Sequence, residues 1–340
     1  MAREFNVAIV GATGLVGQNM AAVLKQRRFP IKRMRFLASA RSASLTLDWN
    51  GEAIPVEETS ESSFEGLDFV LMSAGAEQSR QFAPAAARAG AVVIDNSAAW
   101  RMDPAVPLVV PEVNPEDAKE HQGIIANPNC STIQMVVALY PLHRVNPIKA
   151  IVVDTYQSVS GTGSAAVDEL REQTRSLLEN PAQPPMPSVY PYQIAFNLLP
   201  HIDTFLDNGY SREEMKMLQE TRKIMHAPEV NVSATTVRVP VFFAHSEAVH
   251  VEFTNPMSPG EAREILAQAP GVVLQDDLAH LTYPMPAPAS GRDEVFVGRV
   301  RQSLAYPNSL HMWVVSDNVR KGAALNAVQI AEIMIERGWI

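Results

Sequence analysis

The chain of 340 residues is expected to form two domains of mixed α/β class. The first should be a mostly parallel sheet with helices on both faces, the second a largely antiparallel sheet with helices on one face. Three observations point there. The N-terminal part alternates short continuous apolar runs with helical stretches, the pattern of strands buried on both faces of a sheet. The first run leads directly into closely spaced glycines and then a helical period. The C-terminal part carries strand-like runs joined by hairpins and one helix instead. The length also exceeds one ordinary core, at roughly 100–200 residues per domain.

Charged residues make up 19% of the chain and hydrophobic ones 46%, values of an ordinary soluble globular protein. The net charge of -9 carries no run of like charges, which argues against nucleic acid and anionic membrane as partners. An anionic small substrate must then be held by local arginines and lysines. A single cysteine, Cys130, excludes an intramolecular disulfide framework and fits a reducing cytoplasm. Met1-Ala2-Arg3-Glu4-Phe5 runs straight into a strand-like stretch rather than a signal peptide, and no apolar segment approaches the roughly 20 residues that span a bilayer. Eight histidines occur without H-E-x-x-H or any cysteine–histidine ligand spacing, so no zinc site is expected.

In chain order, Asn6–Val10 reads as a buried strand, Gly11-Ala12-Thr13-Gly14-Leu15-Val16-Gly17 as a glycine-rich turn, and about Leu15 to Arg27 as a helix with Leu15, Met20, Val23 and Leu24 inward. Strand, glycine turn, helix is the context of a Rossmann-type dinucleotide site, where glycines let the backbone approach a pyrophosphate at a helix N-terminus. The spacing is G-x-x-G-x-x-G; glycines serving only a tight turn are the competing explanation. After the next strand, Arg33–Ala38, an acid for the ribose 2′-hydroxyl of NAD is missing, and Ser39-Ala40-Arg41-Ser42 offers hydroxyls and a guanidinium suited to the 2′-phosphate of NADP. A solvated loop arginine would look the same. Asp68–Met72 and Ala91–Ile94 read as strands around a helix from Glu77 to Ala89. Beyond the second of these strands lies Asp95-Asn96-Ser97-Ala98-Ala99-Trp100-Arg101, where Arg101 suits an anion clamp or a plain exposed loop.

Asn127-Pro128-Asn129-Cys130-Ser131-Thr132 separates a short strand, Gly123–Ala126, from a buried helix that Pro141 ends or kinks. The thiol then sits at the positive end of a helix dipole, which favours thiolate. A lone cysteine is equally the description of a small buried hydrophobe. Ala150–Gln157 is a long strand ending in Ser158-Val159-Ser160-Gly161-Thr162-Gly163, and a helix follows from about Ser164 to Leu178. Pro181–Pro191 is proline-rich and irregular, either an ordered surface excursion or a flexible loop. Ser211-Arg212-Glu213-Glu214 is a capping box opening a helix to about Met225, with Glu213 and Lys216 on one face. Val230–Pro240, Ala248–Phe253, Val295–Arg301 and Leu310–Val315 are strand-like, about Pro259 to Gln268 is helical, and Ala323–Arg337 is an apolar-faced terminal helix. His245 falls in a turn and His250 in a strand; spacing alone does not say which histidine meets Cys130.

Taken together, Gly11–Gly17, Asn96–Arg101, Val106–Glu112, Asn127–Thr132, Thr155–Gly163, Arg238–His245 and Asp317–Gln329 closely resemble the aspartate-semialdehyde dehydrogenase family over essentially the whole chain. The resemblance implies a fold like glyceraldehyde-3-phosphate dehydrogenase: a Rossmann-type NADP-binding domain over 1–127 plus 316–340, and an α+β catalytic and dimerisation domain over 128–315. By resemblance Cys130 is the nucleophile that carries an acyl-thioester, His245 the general acid/base and Gln157 the residue orienting the acyl group. Arg238 holds the substrate carboxylate and Glu213 its amino group, while Arg101 and Lys216 bind phosphate. Gly11, Thr13, Gly14, Leu15, Val16, Arg41, Ser42, Ser160, Gly161 and Asn318 contact NADP. The implied reaction is NADPH-dependent conversion of L-aspartyl 4-phosphate to L-aspartate 4-semialdehyde by a cytoplasmic homodimer. One departure is Ala98, where the family often has a second serine. Two alternatives compete: an N-acetyl-γ-glutamyl-phosphate reductase, against which Asn127-Pro128-Asn129 and Arg238–His245 speak, and an inactive NADP-binding relative, which should have lost Cys130, Gln157, Arg238 or His245.

Overall fold

A computed structural model describes residues 3–182 and 186–340; Pro184 and Pro185 of the proline-rich stretch lie outside them. Contacts divide the chain into two units, one running to Asn129 and resuming over Ala323–Ile340, the other Cys130–Gly322.

The first unit is built on a seven-stranded sheet in the order β3-β4-β2-β1-β5-β6-β7. Its strands are β1 (Phe5–Val10), β2 (Ile31–Ala38), β3 (Thr46–Trp49), β4 (Glu52–Glu58), β5 (Phe69–Met72), β6 (Val92–Asp95) and β7 (Ile124–Ala126). All neighbours are parallel except the β3–β4 hairpin, a small edge that the sequence reading did not anticipate. Helix α1 (Leu15–Gln26) follows β1 and α2 (Ala76–Arg88) follows β5. On one face Met20, Val23 and Leu24 of α1 pack with Phe5, Val7 and Phe36 of the sheet and with Leu325, Val328 and Met334 of the terminal helix. Leu15 is only half-buried, at the helix's first turn. Gly11 has φ +80°, and a Cβ there would stand 2.2 Å from the Ser73 carbonyl oxygen, so the turn after β1 requires glycine.

The second unit opens with α3 (Cys130–Val145), β8 (Ile148–Gln157), α4 (Ser164–Glu179), α5 (Arg212–Ile224), β9 (Asn231–Arg238), β10 (His245–Phe253), α6 (Pro259–Ala267) and β11 (Val272–Leu274). It continues with α7 (Pro286–Ala289), β12 (Val295–Gln302) and β13 (Ser309–Ser316). The chain then returns through a π-helical turn at Arg320–Ala324 into α8 (Leu325–Glu336) of the first unit. The sheet order is β11-β12-β13-β10-β8-β9. Three ladders are antiparallel and two, β8–β9 and β11–β12, are parallel; the stretch carrying α4 and α5 is long enough for the crossover a parallel pair requires. Helices α3, α5 and α6 pack on one face.

Two local expectations change. Pro141 lies inside α3, which continues to Val145. The missing N–H costs one bond, and a helix buried along Ser131–Leu139 and at Leu142 is held by packing regardless. His245 is not in the turn but is the first residue of β10, opposite Ser316 of β13; the turn ends one residue earlier, at Ala244 with φ +70°.

Candidate active site

The register of the second sheet brings three strand ends together. Gln157 of β8 pairs with Arg238 of β9, and Ser246 of β10 pairs with Tyr156 of β8. Strand alternation turns Gln157, Arg238 and His245 inward, and all three are buried. Cys130 is the first residue of α3, the helix laid over that face, and is half-buried. One turn further along α3, the Gln134 amide donates to the His245 backbone carbonyl at 3.5 Å, tying the cysteine's helix to the histidine's strand. A Cβ at position 322 would stand 2.8 Å from the Cys130 Cβ, so glycine lets that segment pass against the cysteine.

Helix α5 delivers the charged groups. Ser211 caps it by accepting from Glu214 N, and the Glu214 carboxylate accepts from Ser211 N, the reciprocal box expected from the sequence. The box fixes the first turn, where Glu213 is buried and accepts from the Gln157 amide at 3.4 Å. Lys216 Nζ donates to Glu213 at 2.9 Å and to Asp203 at 2.8 Å. Burial pulls the Lys216 pKa down, but the two carboxylates outweigh it and leave it raised. Burial pushes the Asp203 carboxylate up, but Lys216 and Arg212 both act on it and hold its pKa below the ordinary value.

His245 is fully buried, and burial with the nearby Arg238 charge holds its pKa well below the ordinary value, the Ala244 carbonyl opposing this only in part. Its Nε2 has no partner among the described residues. Arg238 Nη1 donates to the Ser158 carbonyl at 2.6 Å. Gly161 lies against both: a Cβ there would stand 2.9 Å from Arg238 Nη1 and 3.4 Å from His245 Nε2. Ser160 and Asn318, buried, bond to each other and to Ser158.

The first unit holds the other expected residues. A cleft of about 510 Å³ is lined by Gly11, Thr13, Gly14, Arg41, Ser42 and Glu58 among others. Gly14 caps α1 without a side-chain bond, which suits its first-turn amides to a pyrophosphate. Thr13 Oγ1 donates to Ser42 Oγ at 3.4 Å, and Arg41 beside them is exposed; one acid, Glu58, works against a 2′-phosphate there. These features fit a phosphorylated dinucleotide. Leu15 and Val16 stand in the first turn of α1. Arg101 is not part of this cleft; it is buried and donates to the backbone carbonyls of Asn127 at 2.9 Å and Asn96 at 2.8 Å. In the preceding loop Ser97 donates to Asp95 at 2.6 Å and accepts from Ala99 N, so the loop keeps its shape with an exposed alanine at 98.

Sequence reasoning missed Ser158, Gln134 and Glu247. Glu247 carried a signal: a carboxylate on the inward row His245, Glu247, Val249, Val251 of β10.

A dinucleotide-type cleft in a parallel-sheet unit, with a helix-opening cysteine, a buried histidine and an arginine in a second unit, is the outline of a nicotinamide-dependent dehydrogenase. Residues 6–121 match the family model described as semialdehyde dehydrogenase, NAD binding domain, and residues 139–321 match semialdehyde dehydrogenase, dimerisation domain. The chain is 52% identical over 340 residues to aspartate-semialdehyde dehydrogenase from Synechocystis, covering 100% of both. The crystal structure of aspartate semialdehyde dehydrogenase II from Vibrio cholerae, complexed with ASA, is similar at 48% identity and a TM-score of 0.95, over 98% of this chain and 99% of that one. The Candida albicans enzyme with NADP is similar at 25% identity and a TM-score of 0.78, over 99% of this chain and 100% of that one. This chain belongs to the aspartate-semialdehyde dehydrogenase family.

Proposed function

We propose that the chain catalyses the NADPH-dependent reductive dephosphorylation of L-aspartyl 4-phosphate to L-aspartate 4-semialdehyde, a step toward lysine, threonine and methionine, through a thioester on Cys130. The observation that best supports this is the convergence of Gln157, Arg238 and His245 on adjacent strand ends, under the helix that Cys130 opens. The start of α3 favours the thiolate of Cys130, which attacks the acyl phosphate. Gln157 orients the acyl group. Arg238, whose Nε has no partner among the described residues, takes the substrate α-carboxylate, and Glu213, buried beside Lys216, its ammonium. Arg101 and Lys216 receive the phosphate, Lys216 sharing itself with the two carboxylates that hold it. His245 serves the acyl oxygen. Thr13, Arg41 and Ser42, with the first-turn amides of α1, would hold NADP, and the family resemblance assigns Ser160, Gly161 and Asn318 to the same cofactor. NADPH supplies the hydride that reduces the acyl group.

We further propose a cytoplasmic homodimer joined through the outer face of the second sheet. The dimerisation-domain match over 139–321 and the apolar residues exposed on that face support it. Among the described residues no helix is long and apolar enough to cross a membrane.

The test runs in the oxidative direction. NADP should be reduced only when semialdehyde and phosphate are both supplied, far faster than NAD. Cys130→Ala should abolish turnover and leave NADP binding nearly intact. Turnover surviving in Cys130→Ala would sink the thioester mechanism, and equal turnover of the glutamate-derived semialdehyde would sink the substrate assignment.

A further inference from the structure

We propose that Ser158 is a positioning residue that fixes His245 in its Nε2–H tautomer, and that His245 serves the substrate oxygen as a hydrogen-bond donor rather than as the base that ionises Cys130. The inference rests on the reaction proposed above and refines one residue's part in it. The Ser158 backbone amide donates to His245 Nδ1 at 3.0 Å. A backbone N–H can only donate, so Nδ1 must present its lone pair, and the proton of the neutral ring stands on Nε2.

A second backbone amide orders the surrounding network. Ala244 N donates to Asn318 Oδ1 at 3.0 Å, which settles the orientation of that amide and leaves its Nδ2 to donate to Ser160 Oγ at 3.0 Å. The Ser158 hydroxyl stands 3.0 Å from both Asn318 Oδ1 and His245 Nδ1. It can give its proton to either, and neither choice needs a proton on Nδ1. Ser158, Ser160, His245 and Asn318 are all buried, so water does not compete for these bonds. The groups facing the ring are the Arg238 guanidinium from β9, which disfavours an imidazolium, and the Ala244 carbonyl, which favours a ring proton. At the other end Nε2–H opens beside Gly161 and the Arg238 guanidinium, on the side we assign to the substrate.

The electron balance needs no proton from the ring. The Cys130 sulfur pair forms the S–C bond and pushes the carbonyl pair onto oxygen; the carbonyl re-forms as the bond to phosphate breaks. After hydride arrives at the thioester carbon, the alkoxide re-forms its carbonyl and expels Cys130 as thiolate. In both adducts the negative oxygen accepts from Nε2–H, and the one proton consumed overall is taken from solvent by the released phosphate.

The test uses substrate-free, whole protein, so its failure is separate from failure of the semialdehyde assay. In protein carrying ¹⁵N-histidine, with His245→Asn identifying the signal, Nδ1 should report a bare nitrogen and Nε2 a protonated one. A proton on Nδ1, directed at the Ala244 carbonyl, overturns the proposal. The pH midpoint of Cys130 alkylation by iodoacetamide should be the same in wild type and His245→Asn; a midpoint that rises on losing the imidazole overturns the donor role. Ser158 has φ -65° and ψ 154°, values proline accepts, and it follows an extended residue. Ser158→Ala keeps the amide and should keep the tautomer. Ser158→Pro deletes the amide donor, should let Nδ1 take a proton, and should lower kcat about 100-fold, the scale of a lost oxyanion donor, with KM little changed. A wild-type tautomer in a folded Ser158→Pro protein also overturns it; if that variant does not fold, the nitrogen spectrum and the alkylation profile decide.

Discussion

Two residues beyond His245, Glu247 is fully buried on the inward row of β10, and neither carboxyl oxygen has a hydrogen-bond partner among the described residues. Burial raises its pKa well above the ordinary 4.5; Gln134 stands close enough to favour the charged form slightly without reaching hydrogen-bond geometry. The carboxyl is therefore neutral at low pH and resists ionisation as pH climbs. A folded-state pKa above the unfolded one means that the native state holds the extra proton. Glu247's share of stability is thus intact below about pH 4.5 and is lost as pH rises toward the folded pKa, at about 1.4 kcal/mol for each tenfold change in proton affinity. Glu247→Gln keeps the shape and removes the titration. Denaturant unfolding from pH 5 to 8 should show the variant gaining on the wild type as pH rises; parallel curves would mean that Glu247 is not held neutral. At this scale the sequence reveals what a residue type does in a local pattern, such as a glycine turn or a helix-opening cysteine. It conceals what depends on a distant partner: Ser158 meets His245 across 87 positions and Gln134 meets its carbonyl across 111.

Elements differ in how openly they announce themselves. The cap of α5 is readable because S-x-x-E is a local code, and the same box does more than start a helix: Glu214 also accepts from Thr236 N at 3.0 Å, pinning α5 to β9. Ser211→Ala should cost about 1 kcal/mol of stability, by the usual loss of an N-cap. Glu213 sits in the loosened turn, so KM for the semialdehyde should rise several-fold while kcat changes less. Urea unfolding and steady-state kinetics check both, and an unchanged KM would detach Glu213 from the cap. The β3–β4 hairpin carried an equally local code that went unread. Asn50 and Gly51 have φ of 55° and 87°, the two positive values a tight hairpin turn needs. Its strands hid it, with Asp48, Glu52, Pro55, Glu57 and Glu58 diluting the apolar alternation. The start of β10 was hidden differently, because His245 and Glu247 are polar residues on an inward row, where only tertiary burial explains them.

For the molecule as a whole, helix–strand order and the glycine and cysteine motifs were enough to anticipate a parallel-sheet unit and a second sheet. Strand order in that second sheet was not legible, since pairing β8 with both β9 and β10 depends on which strands return from long connections. Its outer face departs from the usual pattern of such sheets. An antiparallel sheet with one covered face normally shows polar side chains on the other. Here the outward row of β8 includes Val152, 46% exposed, and Tyr156, 37% exposed, whose ring lies 5.4 Å from Trp313 of β13. Beside them His250 and His311 stand 3.3 Å apart, their pKa values lowered by burial. Such a surface suits a second copy of the chain. Val152→Asp would set a second carboxylate beside Asp154 on the same outward row, and in an isologous contact each copy brings one to the other's surface. Sedimentation should then show the mass falling from two chains to one. Because Val152 is already exposed in the single chain, the unfolding midpoint of the monomeric variant should change little when compared at high dilution. A variant that stays dimeric would place the interface elsewhere on the molecule.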